Sequence, residues 1–91
     1  MTIYQFIKKR PYLFWYIKNF DELSEKSIVE HVLNYGDMDD VKKMMEILTI
    51  KKTARIFRAQ LKQRRHNYDK KIKNYFKLYF DRYARKWNFD N

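Results

Sequence analysis

Five cations define the chemistry that this 91-residue chain can offer: Lys51, Arg55, Arg58, Lys62 and Arg65. Their spacing is +4, +3, +4 and +3, so at about 100° per residue they occupy roughly 80° of arc on a helix. Lys52 and Arg64 border the row, Gln60, Gln63 and His66 add hydrogen-bond donors, and no acidic residue falls between Lys51 and His66. A solvated face ordinarily mixes signs, because Glu-to-Lys pairs four residues apart favour the helix. A row of one sign suits a polyanion. Each phosphate it neutralises releases condensed counterions, and arginine adds paired contacts to phosphate or guanine edges. The predicted nucleic-acid contacts are therefore Lys51, Lys52, Arg55, Arg58, Lys62, Arg64 and Arg65, with Gln63 and Asn67 able to reach base edges.

Other chemistries find less support in the residue pattern. Gly36 is the only glycine, so there is no glycine-rich phosphate loop, and no serine or cysteine stands in a nucleophile motif. His31 and His66 each lack the partner one turn away that a helical metal site needs. Asp37, Asp39 and Asp40 form a carboxylate cluster that in principle can bind Mg²⁺, but their place at a helix start fits capping better. One enzymatic alternative is a small basic ribonuclease drawing on Arg55, Arg58, Arg64, Arg65, His66 and Tyr68 to stabilise and transfer charge at a phosphodiester. Against it, side chains strung along one helix diverge from a single phosphate. The pattern predicts a binding module with no catalytic residue, cofactor or metal.

Charge and composition place these residues in context. Residues 1–50 hold seven Lys/Arg against eight Asp/Glu, whereas residues 51–91 hold fourteen against three, so the whole net charge of +10 resides in the second part. The polarity predicts a polyanionic partner, DNA ahead of RNA. Eight Tyr, seven Phe and two Trp can build a core without disulfides, and there is no cysteine to form one. The longest apolar run, Tyr12 to Ile17, is far short of the roughly 20 residues that span a bilayer. No secretory cleavage pattern follows it, so a cytoplasmic location is expected.

The elements that position the cations are predicted to be helices. Ser27 and Glu30 form a capping box, and Ile28, Val29, Val32 and Leu33 follow with helical periodicity. Gly36 is expected to end that helix in the left-handed conformation. Asp37 then caps a second helix whose buried stripe is Met38, Val41, Met44, Met45 and Leu48. A third begins after Thr49, with an apolar row of Ile50, Ala54, Phe57 and Leu61 lying about a quarter turn from the cations. Asn67 or Asp69 opens a last helix with a broad aromatic face, Tyr68, Ile72, Tyr75, Phe76, Tyr79, Phe80, Tyr83 and Trp87, and Lys70, Lys73 and Lys77 opposite. Residues 1–10 read as an arm containing a short helix that stops before Pro11. Tyr12 to Ile17 reads as a buried plug, and Lys18 to Glu25 as a polar connection in which Asp21 or Ser24 can start the next helix early. The expected architecture is one all-α domain over residues 1–91, a compact bundle of four or five short helices with a helix-turn-helix-like core. Residues 81–91 form an extension.

Across residues 11–80 the chain resembles a family of small bacterial domains of unknown function, often encoded beside nucleotidyltransferase-type toxins of toxin–antitoxin or abortive-infection systems. The resemblance rests on Leu13-Phe14-Trp15, on Ile28-Val29 followed by Val32-Leu33-Asn34-Tyr35-Gly36, on Asp39-Asp40, and on Phe76 with Tyr79-Phe80. The family carries an acidic residue where this chain has Tyr16, an aromatic at Val41, and a tyrosine-glycine corner at Leu48-Thr49. The resemblance implies an antitoxin-like or regulatory role and no catalytic residues. Its alternative form is a protein-interaction module that docks an acidic toxin through the cations and the rim tyrosines.

Overall fold

Side chains that accept hydrogen bonds from otherwise unpaired first-turn amides set most of the helix starts in this chain. The computed structural model describes residues 1–15, 17, 23–63 and 67–84, and among them are six helices and no strand. They are α1 (Ile3–Lys8), α2 (Pro11–Phe14), α3 (Glu25–Tyr35), α4 (Met38–Leu48), α5 (Ile50–Leu61) and α6 (Lys70–Tyr83). Thr2, Ser24, Asp37, Thr49 and Asp69 cap α1, α3, α4, α5 and α6, each accepting from an amide in the first turn. The all-α bundle matches expectation. Arg64 to His66, Tyr16, Lys18 to Glu22 and everything from Arg85, Trp87 included, lie outside the described residues.

Several boundaries differ from the sequence reading for identifiable reasons. Ser24, not Ser27, caps α3, because its hydroxyl accepts from the Ser27 amide at 3.1 Å and so adds a turn to the helix. Gly36 is extended rather than left-handed, at φ −78° and ψ 161°. Its lack of a side chain serves a close approach: a Cβ there would sit 2.8 Å from the Val32 carbonyl oxygen and 3.0 Å from the Asp40 Cβ. The residue in a left-handed φ is Thr49, at φ 72° and ψ 151°, the one non-glycine with positive φ among the described residues. Its hydroxyl accepts from the Lys52 amide, and its carbonyl accepts from both the amide and the hydroxyl of Thr53.

A β-branched residue in that region stores about 1–3 kcal/mol of strain. Replacing a threonine cap by glycine costs only a few tenths of a kcal/mol. Extra unfolded-state freedom takes back roughly 0.5–1 kcal/mol. Thr49→Gly is therefore expected to stabilise the fold by about 1 kcal/mol, read as a higher urea midpoint at unchanged slope. A lower midpoint would show that the threonine cap outweighs its strain.

The first ten residues are part of the core, not an arm. Ile3, Phe6 and Ile7 of α1 are buried beside Leu13 and Phe14 of α2, together with Ile28, Val29, Val32 and Leu33 of α3 and Val41, Met44 and Leu48 of α4. Pro11 begins α2, where its missing amide proton costs nothing. The segment from Tyr12 is accordingly not a uniform plug: Leu13 and Phe14 are buried, whereas Tyr12 is 62% and Trp15 77% exposed. On the other side Phe57 of α5 is enclosed by Tyr68, Phe76 and Phe80, with ring centroids 5.1, 6.3 and 5.3 Å away. The aromatic face of α6 is narrower inside than predicted. Phe76 and Phe80 are buried, Ile72 and Tyr79 half-buried, and Tyr75 and Tyr83 exposed.

Candidate nucleic-acid interface

The inner face of α5 fixes where its cations point. Thr53, Ile56, Phe57 and Gln60 are buried, whereas Ile50 and Leu61, two members of the predicted apolar row, are only half-buried. This burial turns the helix. Lys51, Arg55, Arg58 and Lys62 share roughly 60° of arc and lie nearly opposite the buried face instead of a quarter turn from it. Polar side chains can face inward because each finds partners. The Gln60 amide donates to the Lys26 carbonyl at 2.9 Å and accepts from the Tyr68 hydroxyl, and the Thr53 hydroxyl donates to Thr49 O. Burial pushes the Tyr68 phenol well up from its ordinary value, with Glu30 adding to the effect, so it stays protonated and donates. Gln60 is thus a core residue and not an interface donor.

The seven predicted contacts divide into four groups. Lys51, Arg55 and Lys62 are exposed on the outer face, the last as the C-cap of α5. Lys52 stands about 100° away from Lys51 and pairs with Glu25 at 2.7 Å; both side chains are substantially exposed, and such pairs contribute roughly 0–1 kcal/mol and yield readily. Arg58 is half-buried and bound within the protein. Its guanidinium donates to the Phe80 carbonyl at 3.0 Å and lies 3.5 Å from the Asp81 carboxylate, placing a cation at the negative end of α6. Arg64 and Arg65 lie outside the described residues, and the helix that was to carry them ends at Leu61. The structure thus supports the stripe over Lys51 to Lys62 and reassigns Arg58 to holding α6.

That reassignment brings in cations the row did not include. Asp81 shares a face of α6 with Lys70 and Lys77, which recur at helical spacing and are exposed. Arg58 ties the C-terminal end of that face to α5, which brings Lys77, one turn from Asp81, to the side of α6 that meets the α5 row. Among the described residues from Ile50 onward the acids are Asp69, which caps α6, and Asp81, which holds Arg58.

The base-reading candidates fare differently. Gln63 is exposed. Asn67 is used to moor the start of α6: its amide donates to Glu30 at 3.2 Å, and its carbonyl accepts from the Asn34 amide at 3.1 Å. The ribonuclease set does not converge among the described residues, since Arg55 faces solvent, Arg58 is held on α6 and the Tyr68 hydroxyl is buried on Gln60. Asp37 and Asp40 cap each other's amides at 2.9 and 3.0 Å, and no group of three or more His, Cys, Asp or Glu is placed to hold a metal among those residues.

A second feature had escaped the sequence reading. Tyr12, Trp15, Glu30, His31, Asn34, Tyr35 and Asn67 line an open groove of about 820 Å³ between α2, α3 and the segment before α6, with Leu13 at its floor. Its walls are fixed from behind. The Tyr12 hydroxyl donates to Asp40 at 2.6 Å, His31 Nε2 lies against the Leu13 carbonyl, and the His31 ring sits 4.8 Å from Phe14 and 4.9 Å from Tyr35. Pro11 was the available signal. It starts a helix on which Tyr12 and Trp15, three apart, share a face opposite Leu13 and Phe14.

Comparison with family models, with curated proteins and with solved structures returned no match to this chain. None of its helices, among the described residues, is long and apolar enough to cross a membrane.

Proposed function

We propose that the protein is a nucleic-acid-binding module that grips the phosphate backbone, most readily of DNA, with the outer face of α5 and the adjoining edge of α6. The observation that carries the reading is the placement of Lys51, Arg55 and Lys62 on the solvent side of one helix, with Arg58 of the same row tied to Asp81, one turn from Lys77 on α6. Such a surface attracts a polyanion through counterion release, which is independent of sequence. An antitoxin-like or regulatory setting, as the family resemblance implies, is compatible with this binding.

Fluorescence anisotropy with a random duplex of about 20 base pairs tests the reading. Binding in the micromolar range at low salt is expected, as for non-specific contacts. No binding at low salt would refute it.

The runner-up, docking on an acidic protein partner, has one observation of its own: Tyr75 and Tyr83 are 49% and 56% exposed and Leu78 72%, beside Arg82 on α6. A partner docked through these rings and the cations would compete with duplex for α5.

A further inference from the structure

We infer that the groove between α2, α3 and Asn67 is a receptor for an unpaired nucleobase, so that the nucleic acid this protein prefers is single-stranded. The inference rests on the phosphate-binding reading of α5 and α6 for the backbone, and adds a separate contact for the base. Tyr12, Trp15 and Tyr35 are 62, 77 and 70% exposed, a large area of ring for a chain of this size to leave in water.

Two of these rings are held in place, because the Tyr12 hydroxyl is tied to Asp40 and Tyr35 packs on the His31 ring. Walls fixed in advance lose little conformational freedom when a flat ligand stacks on them. Every base has a π face, and stacking on an aromatic side chain is tolerant of sequence. Glu30 supplies an acceptor for a base amino group. Its carboxylate lines the groove, and the contact from Asn67 holds it there.

The phosphate belongs at the rim. Asn67 is followed after three and four residues by Lys70 and Lys71, both exposed at the start of α6. A base seated against Trp15 would therefore carry its backbone toward the edge of the basic surface. An apolar peptide could use the rings, but would leave these two cations without a counterpart. A base inside a duplex has both faces covered by its neighbours and cannot stack on Trp15 without being extruded. That asymmetry selects single strands.

The full chain should be titrated with labelled DNA single strands of about 12 nucleotides, one bearing all its bases and one abasic throughout its centre, which carry the same phosphates. The base-bearing strand is expected to bind about tenfold tighter or more. Trp15→Ala and Tyr35→Ala, both at exposed side chains, should bring the two affinities close together while leaving the abasic strand's affinity and the helical circular dichroism unchanged. Equal affinity for the two strands in the parent protein would overturn the inference, as would an unchanged ratio in both variants. Failure of the α5 reading is distinguishable. Arg55→Gln with Lys62→Gln weakens both strands in proportion if that reading holds. If it leaves them unaltered, the backbone contact is wrong and the ratio still decides the groove.

Discussion

Replacing Asp40 by alanine is expected to remove about 3–5 kcal/mol of folding stability, the range for breaking a buried ion pair from one side. Asp40 is 2% exposed and binds three separate donors. Its carboxylate accepts from Arg10 Nε at 2.9 Å, from the Tyr12 hydroxyl and from the Asp37 amide, so it joins the α1–α2 corner to the start of α4. The Arg10 guanidinium also lies 4.1 Å from the centre of the Phe6 ring and has little access to water. Without Asp40 that largely shielded cation keeps only the Phe6 carbonyl and ring beside it.

The same group gives a pH signature. Burial by itself would raise the Asp40 pKa, but the hydrogen bonds from Tyr12, the Asp37 amide and Arg10 outweigh it and hold the value below the ordinary 3.8. The unfolded chain therefore binds the proton first as pH falls. The stabilisation is complete above the unfolded pKa and is lost as pH drops through the lower, folded value. Urea midpoints measured from neutrality to below pH 4 should show the parent losing part of its advantage over Asp40→Ala on the acid side. A difference of under about 1 kcal/mol at neutral pH would show that the network contributes no more than an exposed pair.

The second large effect concerns binding. Arg55→Glu with Lys62→Glu is expected to lower duplex affinity by about 100-fold or more at low salt. Each reversal turns an attraction of about 1 kcal/mol in water into a repulsion of similar size. Two such changes amount to about 4 kcal/mol, and about 1.4 kcal/mol is tenfold. Both side chains are exposed, so stability and helical circular dichroism should stay within about 0.5 kcal/mol and unchanged respectively. Arg58 is the wrong choice for this test, although the spacing places it mid-stripe: reversing it would put a carboxylate against the Phe80 carbonyl and Asp81. Retained affinity in the double variant would remove α5 from the interface.

How much was legible in the sequence follows from the range of the interactions involved. Asp37 and Asp69 act within one turn, and residue type and spacing marked the first as a cap and the second as one of two candidates, with Thr49 read only as a boundary. The α5 stripe was legible because a period of 3.6 orders side chains wherever the helix packs. Its orientation was not, since it depends on Gln60 finding partners outside α5, the Lys26 carbonyl on α3 and the Tyr68 hydroxyl. Gly36 was correctly marked as a corner but for the wrong cause. The need is space beside Asp40, which local propensity does not encode. At Thr49 the corner is formed by a threonine at positive φ, whose cost shows only in the backbone. Arg58 and Asn67 were read as ligand contacts and serve the fold, because a cation at a helix end and an amide near a loop look alike in sequence whichever partner they meet.

The salt dependence of duplex binding, compared between the parent and Arg55→Gln with Lys62→Gln, tests the central claim most directly. If both side chains neutralise phosphates, the plot of log affinity against log salt falls steeply in the parent and its slope is shallower by about 2 in the variant. A parent slope near zero, or equal slopes in the two proteins, would contradict the account.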